Sequence, residues 1–214
     1  MKPCVVKIVL LLVTAAAASG CDRTPAPAAA AAAQAPAQAS PGPAAPQPAG
    51  ALPAEATTPF NRTLSLQGMR FAVESPNRPA GNTVRIATEG LANGASIIDR
   101  DIPGAVVGAD VADLDADGSP EVYVHIGASA TSGRAALVAY AANRGKSLSD
   151  IYLPALEDEQ GAAIGFVGPE EIAVAEASLA RRFAIEGGKT RQLRYRLHAG
   201  ESGWQLRLDR TDEF

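Results

Sequence analysis

Cysteine is almost missing from this chain: there are two, Cys4 and Cys21, and none follows residue 21. Whatever folds beyond that point cannot be cross-linked internally, so its stability must come from a packed core. Histidine is as scarce, with only His125 and His198. Neither stands beside a nucleophile or at metal-ligand spacing. G-x-S-x-G, H-E-x-x-H and a glycine-rich phosphate loop are all lacking, and nothing in the residues marks an enzyme. An excess of positive charge is missing too. Without Lys2, Lys7, Arg23, Asp22 and Glu55, residues 58–214 keep 16 basic and 21 acidic side chains, a net charge of about −5. Nucleic acid is excluded as a natural partner, while a cationic protein is compatible with such a surface.

Long apolar runs are absent except at the start. Lys2 and Lys7 precede an unbroken apolar and small-residue stretch at 8–18, which has signal-peptide length and is too short to span a bilayer. Ala18-Ser19-Gly20-Cys21 follows. Small residues leading into a cysteine are what a lipoprotein signal peptidase cuts, so the reading is a signal peptide over 1–20 with Cys21 as the lipidated N-terminus. The alternative is an ordinary secretory signal with Cys21 an incidental thiol. Two or more acyl chains on Cys21 would anchor the protein stably to a membrane, where one would not. The expected compartment is the periplasm. Asp22 resembles a signal for retention in the inner membrane, but the choice between inner and outer membrane stays open, as does a homodimer.

From residue 23 to 57 the chain is almost only Ala, Pro, Gln and Gly. Nothing there can be buried and the prolines are too frequent for a helix, so residues 21–57 read as a disordered tether carrying the lipidated cysteine. Its extended reach is about 100 Å. The remaining 157 residues, 58–214, are enough for one domain that buries roughly 70% of its unfolded surface.

Past Thr58 the hydrophobic period becomes two, the mark of half-buried strands. Met69, Phe71 and Val73 alternate with polar neighbours, as do Val84 and Ile86, and Val122, Val124 and Ile126. Leu193, Tyr195 and Leu197, then a glycine turn, then Trp204, Leu206 and Leu208, read as an antiparallel hairpin with one oily face. The expected fold class is all-β: an antiparallel β-sandwich or curved sheet of short strands. One segment resists. Pro169-Glu170-Glu171, alanine-rich residues and then Arg181-Arg182 carry the proline, acidic start and basic end of a helix. Leu179, Phe183 and Ile185 also fit a strand, which leaves a hairpin turning near Ala177-Ser178 open.

The sharpest local motif is Asp113-Leu114-Asp115-Ala116-Asp117-Gly118-Ser119-Pro120-Glu121, between an apolar run at 105–111 and the strand beginning at Val122. Alternating carboxylates in a glycine turn converge on one point, and the first half matches the D-x-D-x-D-G start of calcium loops. Position twelve is Val124, not the bidentate glutamate of an EF-hand, so Glu121 would have to close a Ca2+ site made by Asp113, Asp115 and Asp117. The other reading is an acidic turn in which aspartates bond their own amides without an ion. A second loop, 127–134, is small and polar, and connects two strands; such loops can enter a cleft or merely join elements.

Four stretches, ADVADLDADGSPEVYV (109–124), SLSDIYLPAL (147–156), GFVGPEEIAVAEASLARRF (165–183) and RQLRYRL (191–197), are similar to the periplasmic lysozyme inhibitors directed at invertebrate-type (i-type) lysozymes. The resemblance implies an all-β fold, with 170–186 as two strands. It also implies a binding function, in which a Ser-Gly-x-Tyr loop enters the lysozyme cleft and blocks substrate. Carried over, Ser132 and Gly133 are the partner-binding candidates. Arg134 or Ala135 stands where the tyrosine falls, and Arg134 would instead meet the acidic residues of a glycosidase. The expected function is a lipid-anchored inhibitor of i-type lysozyme; the alternative is a calcium-binding envelope interaction module with the same fold and another protein target.

Overall fold

The computed structural model describes residues 58–214, apart from 202. The expectations for the signal peptide, for lipidation at Cys21 and for the tether lie outside the described residues.

Among the described residues the fold is all-β, and twelve strands form two sheets. Strands β1 (Phe60–Leu66), β2 (Met69–Ser75), β3 (Asn82–Glu89) and β4 (Ser96–Ile102) make an antiparallel sheet in chain order. The second sheet contains β5 (Val106–Ala112), β6 (Glu121–Ile126), β7 (Ala136–Ala142), β8 (Leu148–Tyr152), β9 (Glu171–Ala175), β10 (Ser178–Ile185), β11 (Lys189–Ala199) and β12 (Trp204–Glu213). Its order is β5-β6-β7-β8-β12-β11-β10-β9, and it curls until β9 approaches β6, a nearly closed barrel-like sheet. All pairings are antiparallel but one: β8 and β12 run parallel, with Ile151 opposite Trp204 and Tyr152 opposite Gln205. Hydrophobic period identifies a strand without naming its neighbours, so this pairing departs from the all-antiparallel expectation.

Two cores explain the burial. Inside the curled sheet, Tyr123, Leu179, Leu193, Tyr195 and Leu206 pack with Ile151 and Phe183. Between the sheets, Phe71, Val73, Val84 and Ile86 meet Val122, Val124 and Ile126. Strand β6 is the wall shared by both, so all six of its residues are buried where the alternation alone predicts one wet face. Burying each of its large apolar side chains contributes about 1.5–3 kcal/mol.

The 170–186 segment is a hairpin, β9 paired with β10. Its turn passes through Glu176, whose φ of 55° is left-handed. The helix signal misleads because Glu170 serves a distant partner: its Oε1 receives Arg181 Nε at 2.6 Å, with both side chains buried. The β11–β12 hairpin forms as expected, with a register shift between Arg194 and Tyr195; Leu208, opposite Tyr195, is nevertheless 38% exposed.

Candidate metal centre

Strand β5 ends at Ala112 and β6 begins at Glu121, so residues 113–120 must reverse the chain in one tight loop. Gly118 adopts φ 86° and Ala116 φ 57°. These left-handed positions fold the aspartates back over their own backbone. Asp113 accepts hydrogen bonds from Asp117 N (3.0 Å), Gly118 N (3.0 Å) and Gln67 Nε2 (2.6 Å). Asp115 accepts one from Asp117 N at 3.2 Å, and Asp117 one from Ser119 N at 2.7 Å. Glu121 Oε2 accepts from Leu114 N at 2.8 Å and from the Tyr123 hydroxyl at 3.3 Å.

One carboxylate oxygen from each of Asp113, Asp115, Asp117 and Glu121 lies within 4.8 Å of the other three. Oxygens surrounding calcium at about 2.3–2.6 Å can be no more than roughly 5.2 Å apart, so the donor set fits a hard cation. Its electrostatics agree. Glu121 is 2% exposed; burial pushes its carboxyl up to about 8, the nearby Asp115 and Asp113 charges add to this, and the Leu114 N–H opposes it. Asp115 is also raised, first by burial and then by its aspartate neighbours. Negative charge gathered here lacks a counterion among the described side chains. Asp113, with three donors, would be held in place with or without an ion. Gln67, from the β1–β2 turn, was invisible in the sequence because 46 residues separate it from Asp113.

The 127–134 loop lies between β6 and β7. Gly133 N donates to Ser129 O at 2.7 Å, Ser129 N to Arg134 O at 2.8 Å, and Glu170 N to Gly133 O at 2.8 Å. Thr131 and Ser132 are exposed. Arg134 points elsewhere: its guanidinium stands 3.6 Å from the Phe166 ring centroid and its Nη2 is 2.5 Å from Glu157 Oε1. Much of its binding capacity is thus spent within the chain. Ser132, Gly133 and Arg134 share one turn, in which Arg134 N donates to Ser132 Oγ at 3.2 Å.

Of the histidines, His125 is buried and its Nε2 lies 2.9 Å from Asp110 Oδ2, while His198 is exposed on β11. Among the described residues no helix is long and apolar enough to cross a membrane.

The fold and the acidic turn define a barrel-like β domain with a candidate cation loop. No family model, curated protein or solved structure matches the chain, so the likeness to lysozyme inhibitors stands on the four sequence stretches alone.

Proposed function

We propose that this protein is a calcium-binding interaction module of the cell envelope, anchored through a lipidated Cys21 and displayed at the end of its Ala/Pro tether. The observation that carries the reading is the convergence of Asp113, Asp115, Asp117 and the buried Glu121 within 4.8 Å. The ion would neutralise carboxylates that burial and mutual repulsion now disfavour, and so would fix the junction of β5 and β6. Ion binding to the folded state alone stabilises it, by about 2.7 kcal/mol at a hundredfold excess over Kd. Calcium should therefore raise the melting temperature, magnesium should do so less, and Asp115→Ala should abolish the response. An unchanged melting temperature at millimolar calcium would remove the cation from the reading. Lipid attachment is tested separately: incorporation of labelled fatty acid should vanish in Cys21→Ala.

A second reading is inhibition of i-type lysozyme by the 127–134 loop. The sequence resemblance and the exposure of Thr131 and Ser132 support it. Since Arg134 also braces the fold, Ser132→Trp is the cleaner probe: the unaltered protein should lower i-type lysozyme activity and the variant should not. Absence of inhibition at micromolar protein retires this reading and leaves the calcium one untouched.

A further inference from the structure

The large sheet is split. Strand β7 pairs with β6 from Ala136 to Ala141, yet with β8 only at Tyr140, Ala141 and Ala142. Continuing that register would set Ala139 against Ile151 and Ala136 against Pro154. Instead β8 turns away, and Ile151 and Tyr152 join β12. Pro154 has no N–H to offer a ladder. In its place, Glu170 Oε2 receives Ala135 N at 3.0 Å and Arg181 Nη1 donates to Pro154 O at 2.9 Å. A buried ion pair thus bridges two banks that a continuous sheet would have zipped together. Burial works against the Arg181 charge, and Glu170 and Tyr195 together more than restore it.

The result is a preformed cleft of about 830 Å³ between Ala135–Ala139 on one bank and Tyr152–Ala155 on the other. Alternate residues of 136–139 face it with main-chain N–H and C=O groups that have no strand partner, and such an edge is a template for another strand. At about 3.3 Å per residue it is long enough for four residues of an extended chain. The Trp204 ring on the far wall is fixed by its Nε1–H bond to Asn143 Oδ1 at 2.9 Å, while Tyr152 is 55% exposed. The arginines lining the cleft are already paired, Arg100 with Asp150 and Arg181 with Glu170. Asp101 and Glu201 line it and enter no ion pair among the described residues, so its uncompensated charge is negative.

We propose that this cleft binds an extended, lysine- or arginine-bearing peptide segment of a partner protein, which adds as a strand to the bare edge of β7. Main-chain bonds to residues 136–139 supply the affinity, and Asp101 and Glu201 select the basic side chains. The proposal does not depend on the cation site, which lies on a different connection.

The test uses the full-length protein and a panel of fluorescent pentapeptides with lysine at both ends and Ala, Val or Thr between. Anisotropy should show binding, weakened about tenfold in glutamate-ended counterparts and by a similar factor when central amides are N-methylated. Amide exchange should slow at 136–139 in the complex. Asp101→Lys combined with Glu201→Lys, both at exposed positions, should reverse the preference for lysine ends while leaving the calcium response intact. Failure of every peptide to bind at ~1 mM, binding indifferent to N-methylation, a preference of the unaltered protein for glutamate ends, or protection confined to other strands would each overturn the proposal.

Discussion

Glu121 occupies the first position of a strand whose every side chain is buried, beside two aspartates that repel its charge. Replacing it by glutamine keeps an acceptor for Leu114 N and removes the charge. In chelator above pH ~8, Glu121→Gln should therefore raise stability by about 1–3 kcal/mol in urea unfolding, while the melting shift with calcium disappears. Loss of stability in chelator would show that the carboxylate is needed structurally, without an ion. His125 behaves differently. Burial holds its imidazole below the ordinary value of 6.5, against the opposing pull of Asp110. As pH falls through about 6.5 the unfolded chain takes up a proton that the folded one refuses, so this residue's contribution is complete above that point and is lost below it. Glu121, protonated in the fold up to about 8, tilts the same curve the other way. The measurable quantity is therefore the stability difference between the unaltered protein and His125→Gln, which should fall between about pH 7.5 and 5.5. A constant difference would contradict the placement of His125.

At the scale of elements, the period-two pattern marked β2, β3 and the β11–β12 hairpin because each has one face turned to a core. It was silent on the parallel β8–β12 pairing and on the doubly buried face of β6, since both depend on neighbours distant in sequence. The acidic turn was legible because its four carboxylates lie within nine residues; the Gln67 contact was not. The β9–β10 hairpin shows how a local signal misleads. Glu170 and Arg181 read as helix-end charges but form a buried pair, and Glu170 also holds Ala135 N. Glu170→Ala should cost about 3–5 kcal/mol, because it leaves a buried guanidinium uncompensated. Exposed Glu171→Ala, one residue on, should change stability by no more than about 0.5 kcal/mol. Equal denaturant midpoints for the two variants would mean that the pair contributes nothing.

For the whole molecule, the lack of cysteine after residue 21 leaves two apolar cores to hold twelve strands, and β6 belongs to both. Val122, Val124 and Ile126 face the small sheet, while Tyr123 faces the interior of the curled one. The oily side of the small sheet is buried against that shared wall, so its order depends on β6. Ile126→Ala should cost about 2–5 kcal/mol through lost burial and the cavity left behind. The loss should not stay in one core. Amide protection should drop together in β3, whose apolar residues share a core with the altered site, and in β11, whose apolar residues belong to the other core, within a single unfolding transition. If β3 alone lost protection while β11 kept its own, the two sheets would be independent units that merely touch, and β6 would not couple them.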